Sequence, residues 1–134
     1  MAPIRVFLAD DSQPIRDRVR GLLNSHCIDV IGEASSPSAC IAGVRDLAPD
    51  VVVLDVHLQG GTGLQVLRDI RRRVPQVAFV VLSNNAEPAY RLRYLGDGAS
   101  AFLDKSTEFG RLPEVVAHAH ALSRKFSKGV PLCP

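Results

Sequence analysis

Residues 51–61 read VVVLDVHLQGG: four apolar residues, the carboxylate of Asp55, then a descent into glycine. Three valines and a leucine in a row, mostly β-branched, form the pattern of a strand buried on both faces, the habit of a central strand in a parallel sheet. An ionised carboxylate at the end of such a strand is costly unless something nearby uses the charge. The same grammar extends outward in both directions. Apolar runs at Ile4–Ala9, Val30–Ala34, Val77–Leu82 and Ala101–Leu103 join Val51–Leu54 as strands and alternate with segments of helical period, the signature of βαβ units. Ile15, Val19, Leu22 and Leu23 mark one helix face; Cys40, Val44 and Leu47 a second; Leu64, Leu67, Ile70 and Val74 a third. A fourth helix is expected from about Glu87 to Leu95, and a fifth carries Leu112, Val115, Val116, Ala119, Leu122 and Phe126 on one face. Pro14 and Pro113 suit helix starts, while Pro49 and Pro75 suit helix ends. The pattern predicts an α/β fold: three layers, αβα, around a doubly wound five-stranded parallel sheet with five helices, for which the flavodoxin-like order 2-1-3-4-5 is expected.

Composition bounds the class. With 134 residues, 46% hydrophobic and 22% charged, and a formal net charge of +2, the chain reads as one folded domain, expected over 1–127 with a short tail at 128–134. No apolar stretch approaches the ~18 residues of a membrane span. The opening MAPIRVFLADD carries acids where a signal peptide would be cleaved, so no membrane partner and a cytoplasmic location are expected. Cys27, Cys40 and Cys133 are odd in number and lack metal-ligand spacing, which reads as reduced thiols. Arg71, Arg72 and Arg73 fall at a presumptive helix C-terminus, where cations suit the dipole, and the overall charge gives no sign of direct nucleic-acid binding.

Polar residues gather just past the C-terminal ends of the strands: Asp10, Asp11 and Ser12 after the first, Asp55 after the third, Ser83, Asn84 and Asn85 after the fourth, Asp104 and Lys105 after the fifth. A parallel sheet brings these ends to one edge, and in the order 2-1-3-4-5 the binding crevice lies between strands one and three, where Asp10 and Asp11 face Asp55. Two unit charges ~4 Å apart at an effective dielectric of ~20 repel by about 4 kcal/mol. Either one acid takes a proton or a cation binds, and a hard divalent ion with oxygen ligands suits the cluster. Mg²⁺ uses one or two carboxylates and keeps waters, leaving room for a phosphoryl group. Lys105 and Ser83 add an ammonium and a hydroxyl, completing a site for a phosphate on or near a carboxylate.

Asp10-Asp11, Asp55 with Gly63 eight residues on, Ser83, and Lys105 with Phe102 three residues before it occur in this order, each acid, hydroxyl or lysine at a strand end. In these motifs the chain resembles a response-regulator receiver domain of two-component signalling, from about Ile4 to Phe126. The resemblance implies that Asp55 is the phosphoacceptor, attacking a phosphohistidine on a sensor histidine kinase or histidine phosphotransfer protein. It implies Mg²⁺ held by Asp11, Asp55 and the His57 carbonyl, with Asp10 acting mainly through water. Lys105 and Ser83 would hold phosphoryl oxygens, and Phe102 would pack inward when the switch is thrown. Output by contact with a downstream protein would run through the fourth helix, fifth strand and fifth helix, with Tyr90, Arg91 and Tyr94 on that surface; a phosphorylation-dependent homodimer is also open. Two positions depart from the family pattern. Gln59 stands where a proline is frequent, which predicts a less stiff loop. Ser106 stands where a proline usually follows the lysine, which predicts a trans peptide after Lys105. His57, two residues past the acceptor, is placed to shield or admit hydrolytic water.

Plainer readings stand beside these. Asp11 or Ser12 suits a helix cap, Lys105 a solvated loop, Ser83 a turn, and Phe102, Tyr90 and Tyr94 simple packing. His118 and His120, two apart on a helix, do not face each other as a metal pair would. The leading expectation is a single-domain phosphorylatable switch without turnover chemistry of its own beyond self-phosphorylation and dephosphorylation. The alternatives are the excised receiver of a DNA-binding regulator and an Mg²⁺-dependent phosphohydrolase with an aspartyl nucleophile. The last is disfavoured because such enzymes separate their two acids by one residue, whereas Asp10 and Asp11 are adjacent.

Overall fold

A computed structural model of the chain describes residues 2–84 and 87–127, the side chains of 125–127 excepted. The expected tail at 128–134, together with Cys133, Asn85 and the Phe126 side chain, lies outside the described residues. In order along the chain come β1 (Ile4–Ala9), α1 (Gln13–Asn24), β2 (Ile28–Ala34), α2 (Pro37–Leu47), β3 (Val51–Leu54), a minimal hairpin of His57–Leu58 with Gly61–Thr62, α3 (Gly63–Arg73), β4 (Ala78–Ser83), α4 (Pro88–Gly96), β5 (Ala101–Asp104), one 3-10 turn (Phe109–Arg111) and α5 (Leu112–Ser127). The five main strands form one sheet in the order β2-β1-β3-β4-β5, all neighbours parallel. This is the predicted doubly wound topology.

Side chains alternate across each strand and feed two cores. Phe7, Val52, Leu54, Phe79 and Val81 meet Cys40, Val44, Leu67, Ile70 and Tyr94 of α2, α3 and α4. Val6, Leu8, Val51, Val53, Val80 and Leu82 meet Val19, Leu23, Leu112, Val116 and Ala119 of α1 and α5 on the other face. All four residues of β3 are buried, as the central position demands.

The helix starts are set by local chemistry. Ser12 caps α1 by accepting from the Ile15 N–H (3.4 Å), Ser36 caps α2 from Ala39 (3.3 Å), and Thr62 and Gln65 form a reciprocal capping box on α3. Capping at α1 therefore falls to Ser12.

Element edges differ from the sequence reading where a polar residue interrupts an apolar run. β2 begins at Ile28, because an edge strand lets Asp29 face water; β4 runs Ala78–Ser83 and β5 extends to Asp104. Val66, outside the expected α3 stripe, is fully buried, whereas Leu47, the last residue of α2, and Leu122, within α5, are about two-fifths exposed although inside theirs. Cys27 and Cys40 are free thiols; burial pushes the Cys40 thiol up to about 12, so it behaves as a small apolar side chain.

Candidate metal and phosphoryl site

β1 delivers Asp10 to the C-terminal edge of the sheet, where its N–H still donates to the Ala34 carbonyl (3.1 Å). β3 delivers Asp55, whose N–H donates to the Ala9 carbonyl (2.8 Å). Since β1 and β3 pair in register, Ala9 beside Leu54, the next residues of the two strands start as neighbours. Carboxylate oxygens of Asp10, Asp11 and Asp55 all lie within 4.8 Å of one another. β5 supplies the counter-charge. The Lys105 N–H donates to the Ser83 carbonyl (2.9 Å), and its Nζ stands 2.7 Å from Asp10 Oδ2 and 3.3 Å from Asp55 Oδ2. The lysine side chain is only 6% exposed, which removes the solvated-loop reading. Ser83 is fully buried at the end of β4.

Asp10 and Asp55 are buried and Asp11 is exposed, so one ammonium faces three carboxylates. Burial pushes the Asp55 carboxyl from its ordinary 3.8 to about 6; the Lys105 ammonium pulls it back, and Asp10 and Asp11 push it further up. The donor set is hard oxygen throughout and carries surplus negative charge. It fits a hard divalent cation such as Mg²⁺, with Asp10, Asp11 and Asp55 as the residues able to hold it.

The loop that follows Asp55 is built tightly. A β-carbon on Gly63 would stand 2.2 Å from the Asp55 carbonyl oxygen, so only glycine lets α3 begin this close to the strand end. The turn at Gln59-Gly60 has Gly60 at φ 78°, the sign a type II turn needs at its third residue, with Gln59 at the second, where proline is common. Gln59 does not leave this loop loose. Its N–H donates to the Ser35 carbonyl (2.8 Å), a bond proline could not make, and Ser35 Oγ donates to Gln59 Oε1 (3.3 Å). After Lys105 no cis peptide occurs, as expected with Ser106 there. The Ser106 N–H and hydroxyl both donate to Asp104 Oδ1 (2.8 and 2.6 Å), an Asx-type turn that stiffens the segment without proline.

Away from the acids the expected partner surface needs correction. Tyr94 is 2% exposed and packs edge-on against Phe102 at 5.9 Å, so it belongs to the core and not to an exposed pair; the sheet covers its side of α4. Tyr90 is half-buried against the same core. Phe102 is itself buried. Arg91 is tied to β5: Nη1 donates to the Phe102 carbonyl (2.7 Å), and the guanidinium lies over the Phe102 ring at 5.1 Å. His57 is exposed on the small hairpin opposite Thr62.

The sequence reading missed Arg16 and Glu33. Arg16 Nη1 donates to the Asp10 carbonyl, and Nε pairs with Glu33 at 2.9 Å. Nothing local announces a pair 17 residues apart, because only the packing of α1 against β2 brings them together.

The family profile described as "Response regulator receiver domain" matches residues 6–117. The chain belongs to the response-regulator receiver family. Among curated proteins this receiver domain is similar to the DNA-binding transcriptional activator DevR/DosR of Mycobacterium tuberculosis, 33% identical over 114 residues, covering 84% of this chain and 52% of that one. It is similar also to the response regulator GacA of Pseudomonas aeruginosa, 28% identical, covering 92% of this chain and 58% of that one. The receiver domain thus spans about half the length of these relatives. Among solved structures, the signal receiver domain of the putative response regulator NarL from M. tuberculosis superposes with a TM-score of 0.82 at 27% identity, covering 90% of this chain and 98% of that one. A LuxR-family two-component response regulator from Aurantimonas sp. SI85-9A1 reaches 0.85 at 26% identity, covering 89% and 86%. No helix among the described residues is long and apolar enough to cross a membrane.

Proposed function

We propose that this receiver domain, within residues 1–127, takes a phosphoryl group on Asp55 from a phosphohistidine of a sensor histidine kinase or histidine phosphotransfer protein. The observation that carries the reading is the set of three carboxylates within 4.8 Å of one another with the Lys105 ammonium between Asp10 and Asp55. In the transfer an Asp55 oxygen forms the new O–P bond, the N–P bond breaks, and its electron pair returns to the donor imidazole. Bound Mg²⁺, held by Asp10, Asp11, Asp55 and the His57 carbonyl, would supply positive charge to the phosphoryl oxygens. Lys105 is poised to neutralise a phosphoryl oxygen, and Ser83, beside it at the edge, to hydrogen-bond another. The resulting acyl phosphate is lost to water, and His57, exposed and two residues past the acceptor, shields or admits that water. Phe102, buried between Tyr94 and Arg91, links the site's edge to α4, so the switched surface is α4, β5 and α5, contacting a protein partner through Tyr90 and Arg91.

The test is intact mass after incubation with a small acyl phosphate and Mg²⁺. The wild type gains about 80 Da and Asp55→Asn does not; a wild type that gains nothing ends the reading. A second reading concerns output. DevR/DosR is described as DNA-binding and is about twice as long as the matched region, which favours a receiver that controls a DNA-binding unit on its own chain. The length of the native transcript decides between the two outputs, and sedimentation with and without phosphodonor shows whether phosphorylation drives dimerisation.

A further inference from the structure

We propose that Arg16 is a positioning residue of the acidic pocket, which fixes the Asp10–Asp11 peptide and thereby places the Asp11 carboxylate beside that of Asp10 for a divalent cation. The proposal rests on the reading of the pocket given above. The Arg16 side chain is 12% exposed and each of its three nitrogens donates: Nη1 to the Asp10 carbonyl, Nε to Glu33 Oε1 (2.9 Å), Nη2 to Gln13 Oε1 (2.7 Å). Glu33, itself 15% exposed, is held from its other oxygen by Arg20. This clamp acts on one peptide. The Asp10 carbonyl and the Asp11 N–H share a rigid plane, so holding the oxygen also sets the direction in which the Asp11 Cα leaves β1.

The rest of Asp10 is already held, its N–H by Ala34, Oδ1 by the Ser12 N–H (2.9 Å) and Oδ2 by Lys105. Of these, the Asp10 Oδ1–Ser12 bond closes an Asx-type turn around the exposed Asp11, but none of them holds the Asp10 carbonyl. Without Arg16 the Asp10 carbonyl loses this partner and the Asp10–Asp11 plane is held by the Asx turn alone, so the third carboxylate is less firmly placed.

A purely electrostatic role for Arg16 predicts the opposite sign. Removing a cation beside an acidic pocket should tighten Mg²⁺ binding, whereas removing a clamp should weaken it. A lysine at 16 keeps the charge but cannot make the three-way fork.

The experiment is isothermal titration of Mg²⁺ into the unphosphorylated wild type, Arg16→Ala, Arg16→Lys and Glu33→Gln, each first checked for a cooperative melt. Outer-sphere partners of metal ligands commonly matter by about tenfold or more in affinity. Arg16→Ala and Arg16→Lys should bind Mg²⁺ about tenfold more weakly, and Glu33→Gln by less, since a neutral amide still accepts from Nε. Equal or tighter binding by Arg16→Ala overturns the proposal; if that variant fails to fold, equal binding by Arg16→Lys does so. A wild type that binds no Mg²⁺ ends the metal reading of the pocket and this proposal with it. A wild type that binds, with arginine variants equal to it, ends the proposal alone.

Discussion

With Asp55 protonating near 6 and buried at 5% exposure, the acceptor is a group that the metal-free fold holds at a cost. The sign follows from linkage. The folded state binds this proton more tightly than the unfolded chain, so the contribution to stability is complete below about 3.8 and is lost as pH rises through about 6. Asp55→Asn removes the cost. In chelator at pH 8 it should be more stable than the wild type by up to about 3 kcal/mol, and the gap should close toward pH 4. Calorimetric melts at the two pH values check this, and a gap that stays constant would contradict it. The same proton blocks the nucleophile, so phosphoryl uptake without bound metal should fall as pH drops through about 6. Lys105 acts in the other direction. Lys105→Met leaves Asp10 and Asp55 buried without their cation, and chemical denaturation at pH 7.5 should show a loss of about 3 kcal/mol, partly restored by adding Asp55→Asn.

Among the elements, α3 and α4 decide how the edge of the sheet is joined to its surroundings. Gly63 allows the first turn of α3 to sit on the Asp55 carbonyl, and a methyl group there meets main chain, which cannot swing aside. Gly63→Ala should therefore cost about 1–3 kcal/mol and slow phosphoryl uptake by shifting the strand end. A variant with wild-type melting and wild-type uptake would show that the loop yields freely. α4 is strapped to β5 by Arg91, through the Phe102 carbonyl and the ring face. Arg91→Ala should lower stability by about 1–2 kcal/mol and speed amide exchange across Pro88–Gly96 more than across α5. Equal protection of both helices would contradict that local effect. Phe102 is thus held from two sides, by Tyr94 within the core and Arg91 above, both of them on α4.

For the whole molecule, a cation that binds only the folded chain stabilises it by mass action, by about 2.7 kcal/mol at a hundredfold excess over its dissociation constant. Mg²⁺ should raise the melting temperature of the wild type and leave that of Asp55→Asn nearly unchanged; equal shifts in the two would place the ion elsewhere. The alternation of short apolar runs with helical stripes, and the strand-end position of Asp10, Asp55, Ser83 and Lys105, are properties of neighbours along the chain, because period and residue type are local. They sufficed for the βαβ alternation and for the polar residues at the strand ends. The true ends of β2, β4 and β5 were less legible, because Asp29, Ser83 and Asp104 interrupt or close apolar runs that the ladder itself continues. What only the tertiary structure decided are the contacts between residues far apart in sequence: the burial of Tyr94 under the sheet, the Gln59 tie to Ser35, and the Arg16–Glu33 clamp on Asp10. Each depends on which strand pairs with which and on which helix face the sheet covers, and no local pattern of side chains encodes either, since both are settled by how all five strands and five helices share two cores.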